Sequence, residues 1–128
     1  MQEERLYEYA VLRVVPRVER EEFVNVGVVL YCRQLRLLKA EILLSEEKLR
    51  MLYEHTDIEQ VRKYLDAFAA ICAGDPSGGP IAALDIASRF RWLTATRSTI
   101  LQTSKVHPGL CKDPENALAR LFAQQVSG

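Results

Sequence analysis

Long hydrophobic runs are missing from this chain. No uninterrupted apolar segment approaches the ~18 residues needed to cross a bilayer, so a membrane-inserted protein is not expected. The opening Met1-Gln2-Glu3-Glu4-Arg5 lacks both the basic start and the apolar stretch of a signal peptide, and Arg13 soon interrupts the first apolar segment. Export is therefore not expected, and the chain reads as cytoplasmic. Cysteine is scarce: Cys32, Cys72 and Cys111 are odd in number and too widely spaced for a disulfide framework or a chelating motif. All three read as reduced thiols, Cys32 and Cys72 as small buried hydrophobes. The only histidines, His55 and His107, have no carboxylate or thiol at a ligand spacing, so neither a metal nor a cofactor is assigned. A Walker loop, a Gly-x-Ser-x-Gly elbow and an identifiable pair of catalytic carboxylates are lacking too, so no catalytic residue is assigned.

The absence with most consequence is local. Seventeen bases and seventeen acids cancel over the whole chain, yet residues 86–112 contain Arg89, Arg91, Arg97, Lys105 and Lys112 and no Asp or Glu. That stretch is strongly positive, and the remainder is negative to the same extent.

What is present is an ordinary globular pattern, 48% hydrophobic and 27% charged over 128 residues. That suits one domain, residues 1–128, with a packed core. Residues 7–15 read as a strand ended by Pro16, and the charged connector 17–22 as a loop or a single helical turn. Residues 23–32 form a second strand, with Val24, Val26, Val28 and Leu30 on the face expected to meet helices. A tight hairpin at Arg33-Gln34 leads to a third strand at 35–43. Ser45 caps a short helix, and the box Thr56-x-x-Glu59 opens a longer one reaching Ala73. After the Gly-rich break 74–79, a third helix starts at Pro80 or, in regular form, after Asp85. Residues 98–106 return to alternation as a fourth strand stopped by Pro108-Gly109, and Asp113-Pro114 starts a final helix. The fold class is therefore α+β, in the order β-β-β-α-α-α-β-α, a mostly antiparallel sheet of about four strands packed with about four helices on one or both faces.

Two residues in the second strand stand apart. Gly27 fits a bulge or a close backbone approach. Asn25 is either a structural bridge to the charged connector or an amide that orients a ligand.

The acid-free stretch carries the site reading. On a helix, Arg89, Trp92 and Thr96 share a face, and on the following strand Arg97, Thr99, Thr103 and Lys105 share another. Arg89, Arg97, Thr99, Lys105 and His107 are thus the candidate anion-binding residues, with Arg97 at the centre. The alternative is a surface balanced by ion pairs within the protein.

Tyr9-Ala10-Val11-Leu12-Arg13-Val14-Val15-Pro16, the run from Glu22 to Tyr31 containing Asn25 and Gly27, and the run from Arg89 to Thr99 together resemble a bacterial family catalogued as domain of unknown function number three thousand and thirty-seven. The resemblance extends to the Asp113-Pro114 end. It implies a free-standing bacterial cytosolic protein, brings no activity or cofactor, and hints at a protein partner, since such members can lie near genes for a kinase-like domain. Arg91 stands where the family pattern suggests a small residue.

The function expected from these residues is that of a non-catalytic binding or accessory protein, self-associating because its second and third strands are apolar on both faces. The alternative is a phosphate-, nucleotide- or nucleic-acid-binding protein, or a phosphoryl-transfer or nucleic-acid-processing enzyme working through residues 89–107, with Asp66 or Glu41 completing the site beside His107.

Overall fold

In the computed structural model, which describes residues 3–127, the α+β reading holds, with five strands in one antiparallel sheet. The elements run β1 (Arg5–Val14), β2 (Val24–Cys32), β3 (Leu37–Ile42), α1 (Glu46–Leu52), α2 (Ile58–Ala73), α3 (Ile86–Leu93), β4 (Leu101–Thr103), β5 (His107–Cys111) and α4 (Pro114–Phe122). The connector 17–22 contains the single turn Val18–Arg20, and a π-helical turn, Ala123–Ser127, follows α4. The sheet order is β3-β2-β1, with β4 and β5 sharing the far side of β1.

That shared side corrects the reading of residues 98–106 as one strand. Leu12 pairs with Thr103, while Tyr9 pairs with His107, so two residues of β1 face three at 104–106. The extra residue is a bulge, and Ser104 seals it. Its N–H donates to Val11 O and its Oγ accepts from Val11 N–H, each at 2.8 Å. Pro108-Gly109 does not stop the edge; both residues lie inside β5. An edge strand tolerates proline's missing N–H, and the Tyr7 ring lies so close over Gly109 that a Cβ there would collide with it.

A second extra residue lies across β1, on β2. Leu12 pairs with Gly27 but Arg13 with Asn25, leaving Val26 unmatched. A Cβ on Gly27 would come within 2.7 Å of Glu41 O, so the glycine serves both a bulge and a close approach. A one-residue slip exchanges the faces. Val24, Val26, Val29 and Tyr31 therefore meet α2 and α3, whereas Val28, Leu30 and Cys32 meet α4. The expected single stripe from Val24 to Leu30 is split by this bulge.

Helices cover both faces. On one, Leu49 of α1, Leu65 and Phe68 of α2, and Phe90 and Leu93 of α3 pack on Ala10, Leu12 and Val14; on the other, Ala117, Leu118 and Leu121 of α4 pack on Leu30 and Cys32. β2 is mostly buried on both sides within the one chain, whereas β3 is only partly covered. The cap of α2 lies one residue later than expected: Asp57 Oδ1 accepts from Gln60 N–H at 3.1 Å, and the Thr56 hydroxyl donates to Tyr53 O. The regular start of the third helix after Asp85 is seen, with Asp85 capping Ser88 N–H.

Both bulges are testable. Ser104→Ala leaves a buried Val11 N–H without its side-chain acceptor and is expected to cost about 1–3 kcal/mol. Gly27→Ala, forced against a backbone carbonyl, is expected to cost about 1–3 kcal/mol or more. Urea unfolding of both variants checks this, and wild-type midpoints would contradict it.

Candidate functional site

α3 organises the site because its side chains leave it in three directions. Phe90 and Leu93 enter the core, Arg89 points toward the end of α2, and Trp92 opens onto a groove between α2 and β4. The groove encloses about 240 Å³. Tyr64, Phe68 and Ile71 of α2 form one wall, Trp92 and Leu93 the floor, and Leu101 with Thr99 and Thr103 the other wall. Arg97 lines it as well.

Of the five candidate anion-binding residues, Arg97 and Thr99 meet in this groove. The Arg97 guanidinium stacks 4.1 Å from the centre of the Trp92 ring, a cation–π geometry. Its Nη1 donates to Leu93 O at 3.4 Å and its Nη2 to Trp92 O, closing the C-terminal end of α3. Burial pulls its pKa below the ordinary arginine value. Thr99 donates its hydroxyl to Leu101 O at 2.8 Å, and Thr103 to Thr94 O at 3.5 Å.

The other three lie apart. Arg89 turns away to donate from Nη1 to Ala82 O at 3.3 Å, and its buried Nε has no partner. Lys105 is exposed within the bulge and outside the groove lining. His107 pairs with Tyr9 and sits 5.4 Å from its ring, on the α4 side of the sheet. The acids considered for it are no closer. Glu41 lies on β3, three strand spacings from β5, or roughly 14 Å. Asp66 lies exposed on α2, which packs on the other face of the sheet.

Internal ion pairs account for little of the acid-free stretch. Among the described residues only Arg91 has one, a two-pronged pair with Glu8 at 2.9 and 3.0 Å. Asn25 bridges to the C-terminal turn rather than to the 17–22 connector, donating from Nδ2 to Gln125 O at 3.0 Å. Its Oδ1 is buried without a partner, as is Nε of the neighbouring Arg13, whose guanidinium lies over Phe23.

No group of three or more His, Cys, Asp or Glu side chains suited to a metal occurs among the described residues. Nor is any helix there long and apolar enough to cross a membrane. Sequence reasoning missed Tyr64 and Phe68. Their positions on α2 read as helix surface and core, and only the packing of α2 beside β4 turns them toward Trp92.

A family model described as a protein of unknown function, DUF3037, matches residues 9–126. No curated protein and no solved structure matches the chain.

The thiols give a direct check on burial. Desolvation pushes Cys72 up to about 11 despite the nearby Arg89, and burial also raises the half-buried Cys111. Two pH units correspond to roughly a hundredfold less thiolate. At neutral pH a thiol reagent is expected to label Cys111 first, with Cys32 and Cys72 reacting only on unfolding. Peptide mapping by mass spectrometry after timed labelling decides it, and Cys72 reacting as fast as Cys111 would contradict it.

Proposed function

The chain belongs to the DUF3037 family, and because that membership names no activity we propose, from the geometry of the groove, a non-catalytic binding protein. Its ligand is a small organic anion with an apolar body. The body occupies the space between Tyr64, Phe68, Trp92 and Leu101, and the anionic group meets Arg97.

The observation that carries this reading is a partly buried guanidinium in a mainly apolar groove, without an acid partner among the described residues. A desolvated charge is ordinarily paired. The carbonyls at the end of α3 offset part of the cost through their partial negative charge, and they aim the fork at the groove. They do not neutralise it. A guanidinium has five N–H donors, so the contacts to the Trp92, Leu93 and Ala95 carbonyls leave donors for an anion. The volume supports a ligand of one ring or a branched chain, below the several hundred Å³ usual for larger molecules.

Trp92 is the only tryptophan of the chain, so its fluorescence reports on the groove directly. Titration with aromatic and branched carboxylates should change its emission saturably, and each acid should bind about tenfold or more tightly than its neutral amide, since charge-assisted bonds are the stronger kind. Arg97→Ala should remove that preference. Ala67→Phe, which fills the groove from the α2 wall, should remove binding altogether. Equal affinity for acid and amide, or a silent Trp92 throughout, would sink the reading; circular dichroism guards against loss of α3 in the Arg97 variant.

A further inference from the structure

The opposite end of α3 borders a second, wider cleft of about 1140 Å³, walled by the start of β1, the β2–β3 hairpin and the first residues of α3. The two open on different sides of α3, and no residue lines both, so they do not share donors.

Three arginines line this cleft: Arg33 and Arg36 from the hairpin, and Arg91 from α3. Two acids line it as well, but both are engaged. Glu8 gives both oxygens to Arg91, and Asp85 Oδ1 accepts from Ser88 N–H at 2.9 Å. Arg33 and Arg36 form no ion pair among the described residues. The hairpin turn, closed by Arg36 N–H donating to Arg33 O at 3.1 Å, holds them on one rim. Between them and α3 lies Tyr31. It is 6% exposed, with its ring 5.2 Å from that of Phe90. Tyr31 lines the cleft, and its hydroxyl makes no side-chain hydrogen bond to another described residue. A hydroxyl at the cleft surface on so firmly packed a ring is a donor held in one place. The Asp85 cap satisfies Ser88, leaving the N–H groups of Ile86 and Ala87, which also line the cleft, free of a cap bond.

We propose that this cleft binds a phosphate-bearing small molecule, its phosphate held by Arg33, Arg36 and the Tyr31 hydroxyl in front of the α3 N-terminus. A hairpin, a strand and a helix each contribute donors to its lining. A carboxylate has two oxygens in one plane, whereas a phosphate monoester presents three in three directions. The Glu8–Arg91 pair braces the wall instead of competing for the ligand. The half-exposed Leu6 supplies an apolar rim for the rest of the molecule.

Calorimetric titration of the full chain with inorganic phosphate, pyrophosphate and adenosine monophosphate tests this. At least one probe is expected to bind saturably, with affinity falling as salt rises. The double variant Arg33→Ala, Arg36→Asn should weaken it about tenfold or more. Asparagine is chosen because Arg36 has φ 50°, a conformation asparagine tolerates. Tyr31→Phe, which keeps the ring on Phe90, should weaken binding several-fold, and Arg50→Ala on α1 should leave it unchanged. No saturable binding of any probe, unaltered binding in a folded double variant, or binding only of poly-glutamate would overturn the proposal. So would loss of phosphate binding in Arg97→Ala with the double variant unaffected, which would move the anion to the groove.

Discussion

β1 is hydrogen-bonded on both sides, and neither side matches its spacing. Opposite Leu12–Arg13, β2 carries one residue too many at Val26; opposite Ala10–Val11, the outer edge carries one too many at 104–106. β1 itself stays regular, with Ala10, Leu12 and Val14 on one face and Tyr7 and Tyr9 on the other. The irregularity is absorbed by its neighbours, through a glycine on one side and a serine on the other. Both faces of the sheet are thereby filled with side chains in the parity that the helices need.

Much of this architecture can be read from periodicity. The apolar positions Val61, Leu65 and Phe68 recur at helical spacing and are buried, and the Asp113 cap and Pro114 at the head of α4 fit their helix-start chemistry. The bulge in β2 was harder. Apart from Asn25, Val24 to Cys32 is apolar on both faces, so no alternation of polar residues marks a change of parity, and a slip leaves the pattern looking intact. Gly27 signalled the irregularity without saying that everything beyond it would change sides. At β5 the local rule misled. Proline and glycine usually break a strand, but an edge position leaves proline's missing donor harmless, and the Tyr7 ring takes the room beside Gly109.

The candidate site divided along a similar line. Charge counting found Arg89 and Arg97, because the absence of acids around them is visible in the sequence. Their directions were not visible, being set by carbonyls exposed where helices end: Ala82 O for Arg89, and the last turn of α3 for Arg97. Arg33 and Arg36 lie far away in the chain, in a hairpin whose arginines look like solvated turn residues. Only the sheet order, which brings the β2–β3 turn beside the start of α3, places them opposite Tyr31 and Arg91.

The manner in which these guanidiniums are held bears on what the surface presents to a diffusing ligand. A carboxylate partner cancels a charge, as Glu8 does for Arg91. A carbonyl partner orients the group and supplies hydrogen bonds but leaves the unit charge in place. Arg89 and Arg97 are held by carbonyls, and Lys105 is exposed within the bulge. Of the five bases in residues 86–112, only Arg91 is therefore cancelled by an ion pair among the described residues. Unpaired charges of one sign act on ions over a distance comparable to the screening length of the medium. Shape must then do the selecting. On the readings proposed above, the narrow groove beside Trp92 is the place for an apolar body with one charged end, and the wider cleft beside Tyr31 the place for a bulkier phosphate-bearing group.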